Sequence, residues 1–227
     1  ASLAGNAGAI AVGFAVALNK ADNNVIAQIH QSFVTADSGS VTLTASEDAD
    51  IAAVAVAATI SVGASAAMSG LAISGGGAIA LNSSLSDANA AIINSTITAG
   101  NAVNVNADSN AEINAVVTNV SVAVGAASLN GGAAALGAGV AQNYIGYDEH
   151  GTRENDVQTG NPKNAQVRGY FENSSITAGG QVGASAITDM DIKSEVVSIS
   201  VAVGVGGTNA FGLAGSGVST ENKIATD

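Results

Sequence analysis

Val197-Ser198-Ile199-Ser200-Val201-Ala202-Val203-Gly204-Val205 puts a β-branched residue at every second position, with Ser, Ala or Gly between. Successive side chains of a strand point to opposite faces, so the stretch reads as a strand with one aliphatic face and one face of small residues. A helix would scatter the same valines around its circumference and leave no stripe to bury. The pattern recurs: Val120, Val122 and Val124 alternate with Ser121 and Ala123, and Ile60 and Val62 with Thr59 and Ser61. β-Branched residues favour this geometry. The expectation is an all-β chain whose interior is sealed by thin layers of Val, Ile and Ala.

The same residues fix a period. Ile60-Ser61-Val62-Gly63 aligns with Val122-Ala123-Val124-Gly125 and Val201-Ala202-Val203-Gly204, at spacings of 62 and 79 residues. Ser32-Phe33-Val34-Thr35-Ala36 returns as Ser95-Thr96-Ile97-Thr98-Ala99 and Ser174-Ser175-Ile176-Thr177-Ala178, at 63 and 79. Ala17-Leu18-Asn19 returns as Ala80-Leu81-Asn82 and more loosely as Ala141-Gln142-Asn143 and Thr220-Glu221-Asn222. The last interval carries an insertion of about 17 residues. Periods of tens of residues mark stacked repeat architectures. The chain therefore reads as a single body over 1–227, with repeats at roughly 1–50, 51–112, 113–191 and 192–227.

Each unit contains four strand-like runs, in the second unit 54–64, 71–81, 90–98 and 102–107. Gly, Asn, Asp and Ser gather between them, at 65–70, 82–89, 99–101 and 108–110, and read as turns. This predicts a parallel β-solenoid, or β-helix, in which one repeat makes one wide coil; two or three narrow coils per repeat fit the sequence as an alternative. Equivalent residues of one-coil repeats sit about 4.8 Å apart. Asn19, Asn82, Asn143 and Asn222 would then form an amide ladder at a turn. The open edges of such a body invite further coils, so the expected context is a longer protein.

Composition narrows the function classes. Six Lys and Arg against 18 Asp and Glu give a net charge of −12, which argues against nucleic acid and against an anionic membrane surface. Cysteine is absent, which excludes disulfides and thiolate metal sites. Residues 51–86 and 113–147 carry no charge, yet glycine clusters and frequent Ser, Thr and Asn break both runs, so no transmembrane helix is expected. His30 and His150 are far apart, and no nucleophile elbow or phosphate loop occurs, so no catalytic residues and no enzyme are expected. Thr42-x-Thr44 becomes Asn104-x-Asn106 and Gly183-x-Ser185, so no threonine row for ordering water is kept.

Two binding candidates stand out. The insertion, about 145–169, concentrates charge, holds the sole proline and is flanked by Tyr144, Tyr147 and Tyr170. Loops inserted in a repeat body project from it, so Tyr147, His150 and Arg153 are candidate ligand contacts. Glu47, Asp48 and Asp50, then Asp108 and Glu112, then Asp189 and Asp191 recur at one place in successive units, read as a turn. Stacked carboxylates are relieved by a bridging cation, so Asp48, Asp50, Asp108, Asp189 and Asp191 are candidate Ca²⁺ ligands. The Gly-Gly-x-Gly-x-Asp pattern of calcium β-rolls is missing, and no cofactor is otherwise expected.

The order Ser95-Thr96-Ile97-Thr98-Ala99-Gly100, Val103-Asn104-Val105-Asn106-Ala107-Asp108-Ser109 and Ser121-Val122-Ala123-Val124-Gly125 resembles the repeats of giant bacterial surface adhesins of the filamentous-haemagglutinin-like and leukotoxin-like kinds. The resemblance covers nearly the whole chain outside the insertion. It implies an exported β-helical fibre, extracellular or at the cell surface, with no catalytic residues to carry over. The expected function is a structural stalk or scaffold whose partners are further copies and a host or neighbouring cell surface. The alternative is a ligand-binding module in which the 145–169 loop recognises a glycan or protein.

Overall fold

The computed structural model describes residues 5–152, 154–155, 162–163 and 165–226. Its strands are β1 (Asn6–Ala21), β2 (Asn24–His30), β3 (Phe33–Ala36) and β4 (Val41–Ser65), then β5 (Ser69–Ser84), β6 (Asp87–Ile93), β7 (Thr96–Ala99) and β8 (Val103–Ala127) in the same order and with the same lengths. β9 (Asn130–Ile145) precedes a two-stranded antiparallel hairpin of β10 (Glu154–Asn155) and β11 (Pro162–Lys163). β12 (Val167–Glu172), β13 (Ser175–Ala178), β14 (Val182–Gly206) and β15 (Asn209–Ile224) complete the chain. No helix occurs among the described residues.

Each long-range pairing joins a strand to its equivalent one repeat away. The sheets run β1-β5-β9-β15, β2-β6-β12, β3-β7-β13 and β4-β8-β14. All of these pairings are parallel. Ile97 lies opposite Val34 on one side and Ile176 on the other, and Gly125 lies between Gly63 and Gly204. The all-β, parallel arrangement is compatible with a β-helix.

The 25-residue strands β4, β8 and β14 meet two different partners along their length. Their first halves pack on the β2 and β3 sheets. There Val41, Leu43, Val103 and Val105 enclose Ala88, Ala90, Ile92 and Ile97 in an aliphatic core, here termed the body. Their second halves pack on the β1-β5-β9-β15 sheet and form a flat two-sheet wing. Inside it Ala53, Ala55, Ala57 and Ala115 meet Ala78, Ala80 and Ala141, and farther out Ala72 and Ala123 meet Ala133 and Ala135.

The interior of the wing differs from the layers of Val, Ile and Ala that the sequence predicts. Val54, Val56, Ile60 and Val62 project outward from β4, as do Val197, Ile199, Val201, Val203 and Val205 from β14, while the alternating Ala, Thr and Ser are buried in β4 and half-buried in β14. Close approach of the two backbones is the reason. A Cβ on Gly63, Gly125 or Gly204 would collide with the carbonyl of Leu71, Gly132 or Phe211, and one on Gly76 or Gly137 would collide with the Asn119 side chain. At these columns a valine has no room, whereas alanine and serine fit; opposite Gly139 the gap still takes Val117, which is fully buried. Polar groups in the gap bond to one another: Thr59 Oγ1 and Ser121 Oγ lie 3.0 Å apart, and Ser74 Oγ donates to Thr59 Oγ1 at 2.7 Å. Asn119 Oδ1 and Ser200 Oγ are buried without a protein partner.

Two further boundaries move. Residues 108–110 are no turn but the middle of β8, because the ladder on both sides overrides the turn preference of Asp and Asn. Residues 90–98 are no single strand: Asn94 takes φ of 48°, as Gln31 and Asn173 do at 49° and 46°, and turns a corner between β6 and β7. The serine after each corner fixes it. Ser32 N–H donates to Ser95 Oγ and Ser95 N–H to Ser174 Oγ, both at 3.1 Å, and Ser95 Oγ donates to Ile93 O at 2.7 Å.

Candidate functional site

The insertion leaves the body at the end of β9 through Gly146, whose φ of 77° makes the sharp exit. Residues 148–152 fold back on themselves, with the His150 and Thr152 N–H groups donating to Asp148 Oδ1 at 3.0 and 2.7 Å. Tyr144 and Tyr147 clasp this loop to the sheet. Their rings lie 6.4 Å apart at 57°, and Lys223 Nζ sits 5.4 and 5.9 Å from the two ring centres. Ser83 Oγ donates to Tyr147 O at 2.6 Å, and Lys20 Nζ reaches Glu149 Oε2 at 3.4 Å. Tyr147 thus packs at the root of the loop. The His150 side chain is 76% exposed, with Nδ1 3.9 Å from both Asp148 Oδ2 and Glu149 Oε1. Arg153 lies outside the described residues.

Charges here are paired tightly. Tyr144 Oη donates to Glu221 Oε2 at 2.9 Å, Gln142 Nε2 donates to the same oxygen at 3.2 Å, and Lys223 Nζ lies 2.7 Å from Glu221 Oε1. Burial first, and then its bond to the Glu221 carboxylate, push the Tyr144 phenol up to about 12. Lys223 first, and then Tyr144, hold the Glu221 carboxyl below its usual range. Glu149 is held low by its own backbone N–H and by Lys20. The arrangement is a clasp joining two adjacent passes of the chain. Sequence reasoning missed Glu221 and Lys223, although their spacing of 79 residues from Gln142 and Tyr144 is the repeat interval.

The acidic candidates stand along strands rather than at a turn. Asp48, Asn110 and Asp189 form one row, and Asp50, Glu112 and Asp191 the next; Asp108 lies apart, between Ser46 and Ile187. Asn110 Nδ2 donates to Asp48 Oδ1 at 3.2 Å. Lys193 Nζ bridges Glu112 and Asp191 at 2.9 and 2.8 Å, and these hydrogen bonds, to Asp191 first, push its pKa up. No group of three or more His, Cys, Asp or Glu placed to hold a metal ion occurs among the described residues. The single carboxylate buried in this region, Glu47, accepts from Ser109 Oγ at 3.1 Å and Asn23 Nδ2 at 3.2 Å.

Asn19, Asn82, Asn143 and Asn222 occupy one row inside the strands, two residues before the ends of β1, β5, β9 and β15 and not at a turn. Each Nδ2 donates to the next Oδ1, at 2.8, 2.7 and 2.9 Å. Ser194 Oγ bridges the last pair.

The largest feature that residue-level reading missed is the outer surface of the wing. Its signal lay in the two long uncharged runs, which map onto the wing strands. Comparison of the chain with protein-family models, curated proteins and solved structures gives no match in any of the three.

Proposed function

We propose that the chain is a structural segment of a long exported bacterial fibre, a β-solenoid of the adhesin-stalk kind in which each repeat of about 62 residues makes one wide coil. The supporting observation is register: every strand of one repeat pairs residue for residue with its equivalent, across four sheets at once. Such a stack has no natural end, since each coil presents to the next the same ladder of N–H and C=O groups that it received from the last. Its role is mechanical: to extend, to resist bending, and to set surface features at a fixed spacing outside the cell. The clasp made by Tyr144, Tyr147 and Lys223 favours the scaffold over a loop-borne receptor, because it spends the aromatic groups of the insertion on the body itself.

Excision of residues 153–161 separates the two readings. A scaffold keeps its far-ultraviolet strand spectrum, its hydrodynamic length and its attachment to cells or matrix when these residues are gone. Loss of attachment with the spectrum intact would refute the scaffold and establish the loop as a ligand-binding module.

A further inference from the structure

The wing carries aliphatic residues on both outer faces. On one face β4 presents Val54, Val56, Ile60 and Val62, β8 presents Val120, Val122 and Val124, and β14 presents Val197, Ile199, Val201 and Val203. On the other, β1 presents Ile10, Val12, Phe14, Val16 and Leu18, beside Leu71 and Ile73 of β5 and Leu136 of β9. Val12 is 80% exposed, Ile60 71% and Leu136 59%. Contiguous patches of this size on soluble monomers mark an interaction surface.

Both faces change from aliphatic to charged toward the body. The rows stop at Asp50 and Glu112 on one face and at Lys20 and Lys223 on the other, and in the last pass at Glu195, in the row of Val54, and at Glu221, in the row of Leu18. At the far end lies a polar rim of Ser69, Asn130 and Asn209, where Asn209 Nδ2 donates to Asn130 Oδ1 at 2.9 Å. Between these limits run 11 to 13 uncharged residues (Gly8–Leu18, Leu71–Leu81, Ala52–Ala64), about 33–40 Å at the rise of an extended strand. A bilayer has a hydrocarbon core of about 30 Å between two polar zones.

The turns at the far end satisfy one another. Asn130 N–H donates to Met68 O and Thr208 N–H to Leu129 O, both at 2.9 Å, and Ser128 Oγ donates to Ala67 O. Inside the wing the Thr59, Ser74 and Ser121 hydroxyls bond to each other. Backbone groups paired between coils and apolar side chains on both sides are what a hydrocarbon environment demands of a strand structure. Stacking of a second copy would need one apolar face, and would not need the polar rim.

We infer that the wing inserts edgewise into a lipid bilayer as a fin, with β1, β5, β9 and β15 facing acyl chains on one side and the outer halves of β4, β8 and β14 facing them on the other, while the acidic body stays in water. The edge strands of the fin are covered by neighbouring coils of the same kind, since lipid cannot pair them. The inference goes beyond the scaffold reading and rests on it for the coils that cover the edge strands.

The chain has no tryptophan, so single-tryptophan variants report without background. Val56→Trp in the wing and Thr44→Trp on the body are mixed with zwitterionic phosphatidylcholine vesicles carrying bromine midway along the acyl chains. The expected result is quenching of roughly twofold or more for Val56→Trp and none for Thr44→Trp. Flotation with the same vesicles is lost in the combined variant Val12→Asn, Val56→Asn, Val122→Asn, Val201→Asn, whose outward positions leave the interior packing and the far-ultraviolet spectrum unchanged. Equal quenching at both positions, no flotation of the unaltered chain, or particles of protein alone whose size lipid does not change would each overturn the inference; the last would assign the faces to copies of this chain.

Discussion

Gln31, Asn94 and Asn173 hold the same left-handed corner, yet a left-handed backbone costs most residues about 1–2 kcal/mol and asparagine less. Gln31→Asn should therefore stabilise the chain by about 0.5–1 kcal/mol in urea unfolding. Asn82 is fully buried in the middle of its row, so Asn82→Ala strands the Nδ2 of Asn19 and the Oδ1 of Asn143. The expected loss is about 1–3 kcal/mol, and Asn19→Ala, at the edge of the row, should cost less. Tyr144 gives a spectroscopic check. Its folded-state pKa is raised to about 12, above the unfolded value of about 10. The neutral phenol's contribution is therefore complete below the unfolded value and is lost as pH rises through the folded one. Phenolate absorbance at high pH should contain one late-titrating tyrosine that Tyr144→Phe removes; a late phase that persists in the variant would disprove the clasp. The row of asparagines was legible because three short phrases returned at one interval. The clasp was not, because it joins Tyr144 and Glu221 across the insertion and no local pattern marks the pair.

Along the strands, the sequence resolved the alternation but not which face goes inward. Val122 and Ala123 belong to opposite faces, and the habit of burying the larger apolar residue selects the valine face for the core. The body obeys that habit: Val103, Val105 and Ile97 are fully buried. The wing inverts it over most of its length, because the columns at Gly63, Gly125 and Gly204 bring two backbones into contact and favour Ala, Ser and Thr beside them, while Val117 and Asn119 go inside where glycines face them. The aspartates at 48, 50, 189 and 191 were read as a turn for a related reason, since Asp is a turn former in isolation but a tolerable outward residue once a strand is paired on both sides. Substitutions should report the inversion. Ala133→Val, which enlarges a buried alanine of the wing, should cost about 1–3 kcal/mol, whereas Val122→Thr on the outside should change stability by less than about 0.5 kcal/mol. In the body the ordinary order returns, and Ile97→Ala should cost about 2–5 kcal/mol. Equal costs for Ala133→Val and Val122→Thr in urea titrations would mean that the faces are assigned the wrong way round.

Taken whole, among the described residues each pass of the chain pairs strand to strand only with the passes next to it, so most of its stability is a sum of nearest-neighbour terms. Among the described residues, strands β5 to β9 have partners on both sides, and β1 to β4 on one side. In a parallel strand successive N–H groups point alternately to the two neighbours. In β8 every amide therefore finds an acceptor, in β4 or in β14, whereas in β4 alternate amides point to the open edge. Native-state hydrogen exchange should show continuous protection along β8 and protection at every second residue along β4. The same experiment tests elongation. If copies add end to end through these edges, the unprotected half of β4 gains protection as protein concentration rises, because the edge then acquires the neighbour that β8 already has. Protection of β4 that is continuous at the lowest concentration would contradict the pairing scheme, and alternate protection that no concentration alters would rule out growth through this edge.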